Sequence, residues 1–405
     1  MTSVVVVGAG VAGLTFARAL VRADVDVVVL ESGGTSDFDT RRDATVVRTA
    51  ERGPERYPRG HGVGGGSRIN GRVAMPGRVD DWNEWSGGAG MAHWAWEAVA
   101  GHAWAMHTAS IDPIGAWPGR IIGAAMKSGY ASVGARVFTD VLRADDGVNV
   151  RTDAPVGEVL VEGRRAVGVR LVDGTELAAD HVVLAAGALA SPQLVATCGV
   201  VGPGEFGGLK DHPAVTFAVH ADDDTHRGVG VVVECGDKQI VTVHEPGRIL
   251  VIGAALRVGS RGVVRIGRDG VSFDFRMLND PQDVALLVDC VGDMLRIVAD
   301  VADVAHVTCG DEGTSPAELE VMTAGERESW LRRNVTGNWH AACSMPTGSI
   351  VDQRGRVVGA DRLWCCDASV LPDLPRSPTQ LPTMIVASVI ADQFLLSLGA
   401  SPDSD

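Results

Sequence analysis

The sequence predicts an α/β protein in two parts: a parallel-sheet domain that opens the chain, and a second, smaller domain built on an antiparallel sheet. Three observations carry this. Val4 to Val7 and Val25 to Leu30 are short, largely β-branched apolar runs, the pattern of parallel strands buried on both faces. Leu14 to Val21, between them, has helical composition. From Ala214 to about Leu278 the pattern changes to alternation, with turns at Glu245-Pro246-Gly247 and Arg268-Asp269-Gly270, which reads as antiparallel sheet. A length of 405 residues suits such a fold, being two to three times the roughly 150 residues of a typical domain.

The first strand runs directly into Gly8-Ala9-Gly10-Val11-Ala12-Gly13, and the second ends in Glu31, 23 residues past the first glycine. Strand, GxGxxG, helix, strand and acid in this order form the dinucleotide fingerprint of a Rossmann-like domain. Glycines let the backbone turn tightly and approach a pyrophosphate, whose charge rests at the helix N-terminus. Gly8, Gly10, Val11, Ala12 and Gly13 are therefore candidate cofactor contacts, and Glu31 is placed to accept hydrogen bonds from a ribose. The position of the motif at the start of the sequence favours FAD, while NAD stays open on these residues alone.

Gly60 to Gly71 is too glycine-dense for the interior of a strand or helix. A loop whose amides approach a flat or anionic ligand explains it, with Gly64, Gly65, Gly66, Ser67, Asn70 and Gly71 as candidate contacts. Val63 and Ile69 interrupt it with side chains that favour burial. Six of the nine tryptophans (82, 85, 94, 96, 104 and 117) follow at close spacing, and such a cluster reads first as core. Asn149 to Arg151, Val156 and Ala166 to Val169 read as hairpin strands; His181 to Leu184 reads as a buried strand entering the small-residue turn Ala185-Ala186-Gly187-Ala188. Asp280-Pro281 starts a helix to about Ala302, with Val284, Leu287, Val291, Met294 and Ile297 on its core face.

These segments together resemble the glucose-methanol-choline (GMC) family of FAD-dependent oxidoreductases. Gly60 through Gly77 is similar to that family's first signature, ending in Pro76-Gly77. Ser191-Pro192-Gln193-Leu194 resembles the core of its second signature, with Cys198 and Val201 departing from it. Asp211-His212-Pro213 and Ser260-Arg261-Gly262 match further landmarks. Ile350 to Val357, Asp367-Ala368-Ser369-Val370-Leu371-Pro372 and Pro382-Thr383 before a helix to Leu396 resemble the C-terminal motif. The resemblance implies FAD contacts at Val156, Ala186, Gly187, Asp367, Ala368, Pro382 and Thr383. In relatives with histidyl-linked flavin the attachment position aligns with Ile69, which cannot form the bond, so non-covalent FAD is expected.

The resemblance divides the chain into an FAD-binding domain (1–81, 141–211 and 340–405) and a substrate domain (82–140 and 212–339). It also implies oxidation of an alcohol: hydride passes to the flavin while a base takes the hydroxyl proton. Histidine suits that task, because its unperturbed pKa near 6.5 leaves it neutral at working pH. A gapless alignment puts Asn338 at the catalytic position, whereas a two-residue deletion puts His340 there; the last histidine of the sequence is favoured as base. The family's second His or Asn aligns with Gln380, which cannot act as a base but can donate a hydrogen bond to an alkoxide. These departures keep open a flavin-bearing enzyme without net redox turnover, such as a lyase or cyclase, and a non-catalytic dinucleotide-binding protein.

Composition narrows the partners. The formal charge of −15 argues against nucleic acid. Seven cysteines without CxxC spacing argue against a disulfide framework or a metal site. No basic leader and no run of about 18 apolar residues is apparent, so the expectation is a cytoplasmic protein with no membrane span. A small-molecule alcohol is the expected substrate; the electron acceptor is oxygen, a quinone or a protein.

Overall fold

A computed structural model describes residues 2–34, 43–48, 53–71, 73, 75–88, 90–105, 110–111, 131–133, 136–137, 147–220, 228–268, 270–299 and 306–399. Five parallel strands form the first sheet, in the order Leu363–Cys365, His181–Leu184, Ser3–Val7, Asp26–Leu30 and Asn149–Arg151. Val4 to Val7 are buried on both faces, as their unbroken apolar run requires. The helices Val11–Arg22 and Gln380–Ser397 pack together over this sheet, with the Phe16 and Phe394 rings edge to face at 5.5 Å.

Asn149–Arg151 departs from its expected hairpin. It adds in parallel to Asp26–Leu30, and the hairpin is made by Val156–Glu162 with Arg165–Leu171. A three-residue strand has too little pattern to select its partner. The C-terminal helix Gln380–Ser397 is long and apolar enough to cross a membrane by length and composition, although its sequence holds no unbroken apolar run of that length. Most of that helix is buried against the parallel-sheet core, which accounts for apolar residues all round it.

The second body is an antiparallel sheet in the order His306–Cys309, Pro213–His220, Arg248–Ala255, Lys238–Glu245, Gly228–Cys235 and Ala131–Val133, with Thr336–Gly337 paired to Pro213–His220. Alternation gives it two faces. One packs on the helix Pro281–Ala299, so closely that a Cβ on Gly253 would lie 2.3 Å from Met294 Sδ. The other, including Val241, Val243 and Ile252, looks into a cavity. A further mixed sheet, Gly204–Leu209, Gly262–Gly267, Gly270–Asp274, Asp43–Arg48 and Pro54–Arg59, joins stretches drawn from both parts of the chain.

Candidate active site

A cavity of about 1250 Å³ runs from the C-terminal ends of the parallel strands to the open face of the antiparallel sheet. That exceeds the roughly 300–1,000 Å³ of a single small-ligand site, so it has room for a cofactor and a substrate together. Gly8, Gly10, Val11, Ala12 and Glu31 line it at one end; Gly65, Gly66, Ser67, Asn70 and Gly71 line it from the glycine loop. Val156, Ala186, Gly187, Asp367, Ala368 and Thr383 complete this part of the wall. Segments far apart in sequence thus meet around one space.

Three expected contacts fall outside the wall. A Cβ on Gly13 would lie 2.0 Å from Gly8 O, so this glycine serves the close packing of helix on loop. Gly64 donates its N–H to Ala9 O at 2.8 Å, at φ +100°, and so ties the glycine loop to the fingerprint. Pro382 is buried in the first turn of its helix. Ile69 departs in another way: it is 38 % exposed and turned to the cavity, because the space that covers it belongs to a ligand.

Glu31 lines the cavity and is also a clamp. Its Oε2 accepts from Ala9 N at 2.9 Å, while Oε1 accepts from Gly33 N at 3.0 Å and Gly62 N at 3.1 Å. One carboxylate therefore holds both glycine loops to the second strand, leaving capacity at Oε2 for a ribose hydroxyl. The fit to FAD rests on the cradle itself. A Cβ built on Gly10, Gly66 or Gly187 meets nothing within 4 Å, so these cavity-lining glycines keep open a volume for a ligand. The helix from Val11 has no side-chain cap and no acid in its first turn, leaving its N–H groups for a pyrophosphate.

Gly10→Leu tests the cradle. At φ −73° a side chain is tolerated by the backbone, so the variant should fold, with a melting temperature close to wild type, but hold FAD about 100-fold more weakly. Flavin absorbance after gel filtration reads the loss; retention of FAD at wild-type stoichiometry and affinity would refute the cradle.

At the other end of the cavity stand Asn338, Trp339, His340 and Gln380. Trp339 is 62 % exposed, at φ +56°, next to the histidine. The described members of the earlier tryptophan cluster, Trp82, Trp85, Trp94 and Trp96, lie away from the cavity wall; Trp104 and Trp117 fall outside the described side chains. Gln380 opens the C-terminal helix, and its Oε1 accepts from Asn70 Nδ2, which leaves the Gln380 Nε2 protons to donate.

His340 is held from below by a buried network. Asp211 Oδ1 accepts from His340 N at 2.9 Å and from His212 N at 2.7 Å, and Oδ2 accepts from the Tyr57 hydroxyl at 2.7 Å. Ala341 N in turn donates to the Tyr57 hydroxyl. Burial pushes the Asp211 carboxyl up to about 7, against the pull of these donors. Burial, reinforced by Asp211, holds the Tyr57 phenol well above its ordinary range.

His212 Nδ1 lies 2.9 Å from His340 Nδ1, and His212 Nε2 lies 3.0 Å from Pro375 O. Burial keeps both imidazoles neutral: His212 is driven well below 6.5, also by His340 beside it, and His340 is lowered to about 4. The tautomers then follow. A carbonyl only accepts, so His212 carries its proton on Nε2 and offers Nδ1 as acceptor. His340 must donate from Nδ1, which leaves Nε2 a lone pair without a hydrogen-bond partner among the described residues. The ligand atoms of Asp211, His212 and His340 lie within 4.8 Å of one another, as in a metal cluster, but these hydrogen bonds already account for the arrangement.

Tyr57, Asp211 and His212 were not among the sequence candidates for chemistry. Asp211-His212-Pro213 was legible as a landmark, yet nothing local ties it to His340, 128 residues on from His212. Tyr57 carries no signal beyond its place in an edge strand.

A nucleotide cradle, a second glycine loop and a neutral imidazole around one cavity define an FAD-dependent oxidoreductase acting on CH–OH donors. The chain belongs to the GMC oxidoreductase family: the family's two models match residues 125–214 and 259–387. A model of an NAD(P)-binding Rossmann-like domain matches residues 6–57. An oxygen-dependent choline dehydrogenase of Yersinia pseudotuberculosis is 23% identical, over 96% of this chain and 93% of its own. Among solved structures, pyridoxine 4-oxidase from Mesorbium loti superposes with a TM-score of 0.80 at 18% identity, covering 97% of this chain and 99% of its own. Formate oxidase superposes with a TM-score of 0.80 at 15% identity, covering 98% of each chain. At these identities the superpositions speak for the fold.

Proposed function

We propose that the chain oxidises a small-molecule alcohol to its carbonyl, with His340 as the base and Gln380 as the hydrogen-bond donor at the forming alkoxide. The observation that carries this is the free Nε2 of a neutral His340 on the cavity wall, fixed by the contact of its Nδ1 with His212. FAD, when bound, supplies the acceptor for the hydride that leaves the carbinol carbon. The hydroxyl proton goes to His340 Nε2, so the alcohol loses two electrons and two hydrogens in balance. Gln380 Nε2 and the N-terminus of the C-terminal helix favour negative charge beside that base. Asn338 shares the wall but has no basic atom, which leaves it a positioning or donor role. Ile69 on the cavity wall offers no nucleophile, in keeping with FAD held without a covalent bond.

Choline dehydrogenase and pyridoxine 4-oxidase, by their names, both act on molecules with a carbinol group, which supports an alcohol as the substrate class. Anaerobic titration of the yellow holoenzyme with a panel of primary and secondary alcohols is the test. Bleaching of the oxidised flavin band by at least one of them is the expected result. Turnover that leaves the band intact would return the lyase or cyclase reading.

A further inference from the structure

The ionisable side chains on the described cavity wall stand at the nucleotide cradle and around the base. Glu31 clamps the two glycine loops, and Asp367 accepts from Gly187 N, Ser191 Oγ and Ser369 N. Arg59 and His61 flank Gly60 where the glycine loop begins; His340 is the base, with Tyr57 beneath it bonded to Asp211. The open face of the antiparallel sheet is different. There Val229 pairs across strands with Val243, and Val241 with Ile252, all four half-buried and on the cavity wall. Gln239, next on that side of its strand, is 1% exposed, so its amide is closed off from a ligand. A Cβ on Gly71 would lie 2.6 Å from Val229 Cγ2, so the glycine loop closes directly on this apolar face.

Trp339 links that face to the base. Its backbone is pinned on both sides: Asn338 N donates to His212 O at 3.1 Å and His340 N to Asp211 Oδ1 at 2.9 Å. Between those bonds Trp339 takes φ +56°, a left-handed conformation that strains a bulky residue and would not strain glycine. The indole is nevertheless 62% exposed on the cavity wall, one residue before the base. Backbone strain and exposed apolar surface both work against the fold, and a ring presented to a ligand accounts for both.

We propose that the substrate is a neutral alcohol with an apolar body, and that Trp339, Val241, Val243 and Ile252 determine this specificity. The indole carries the part of the molecule next to the carbinol, and the sheet face takes the part beyond. Ile252 pairs with Thr216, four residues on from His212, so the face lies about 13 Å along the sheet from the histidine pair. An extended apolar body spans that distance. A cationic body is disfavoured, because a buried charge needs a counter-ion and both described carboxylates of the wall are engaged at the cradle end. One indole attracts a cation too weakly to offset that desolvation. The assignment rests on the alcohol-oxidation reading above.

The test compares two series of primary alcohols of equal shape, starting from choline and its neutral isostere 3,3-dimethylbutan-1-ol and lengthened by methylene groups between the carbinol and the branched end. Binding is measured calorimetrically on wild-type holoenzyme whose FAD has first been reduced, so that no hydride transfer follows. The neutral member of each pair should bind about 10- to 100-fold tighter, and each added methylene should tighten the neutral series about 3- to 4-fold until the face is covered. Trp339→Ala should weaken the neutral series about 10-fold, and Trp339→Phe, which keeps a ring, should stay within about 3-fold of wild type. Val243→Asp, which sets a carboxylate on the face, should remove the preference for the neutral members. Cationic members that bind wild type as tightly as the neutral ones, a neutral series that does not bind, or a Trp339→Ala that binds it like wild type overturns the assignment. Preferred binding of the neutral series with no bleaching of the oxidised flavin would uphold this wall while removing the oxidation reading, so the two failures are distinct.

Discussion

His340→Ala should slow anaerobic reduction of the flavin by a saturating alcohol about 10²- to 10⁴-fold, with FAD content unchanged. The magnitude is that of a general base acting in the step that breaks the C–H bond. No neighbouring group in the described wall can replace it. Asn338 and Gln380 have no basic nitrogen. Asp211 is buried beneath the histidine, with its oxygens already occupied by Tyr57, His212 N and His340 N. His61, the other imidazole on the wall, stands by Ser32 near the nucleotide clamp, away from this end. Stopped-flow absorbance at the oxidised flavin band reads the rate directly. The fold should survive, because Asp211 holds the backbone N–H of residue 340 and not its ring. A rate within a few-fold of wild type would remove His340 from the chemistry.

What the sequence made legible was whatever has a local cause. The fingerprint, Glu31 and the Gly60 to Gly71 loop are contiguous patterns, and they converge on the cavity because glycine is needed where backbone meets ligand. Gly13 and Gly64 lie off the cavity wall, since close backbone packing also demands glycine and leaves the same mark in the sequence. Ile69, read as a side chain that favours burial, faces the cavity. The network of Tyr57, Asp211, His212 and His340 joins three segments that no periodicity links, so only tertiary structure assembles it.

His212→Phe should lower kcat/KM for the alcohol about 10- to 100-fold, although His212 touches no part of the proposed substrate path. His340 needs its lone pair on Nε2 and its proton on Nδ1. His212 selects that tautomer because Pro375 O forces its own proton to Nε2, leaving Nδ1 to accept. Phenylalanine fills the volume but accepts nothing, so His340 then populates the tautomer whose Nε2 is blocked by a proton. The pH profile separates this from a changed pKa. Burial lowers His340 to about 4, so the neutral base persists above that value and kcat/KM falls only as pH drops through it, well below the 6.5 of free imidazole. In His212→Phe desolvation is kept, so the acid limb should stay in place while the plateau falls. His212→Gln supplies the rescue: its Oε1 accepts from His340 Nδ1 and its Nε2 donates to Pro375 O, and it should recover to within about 10-fold of wild type. A general loss of structure would depress both variants alike. Equal plateaus for Phe and Gln, or an acid limb moved up to 6.5 in either, would show that the histidine pair does not set the tautomer.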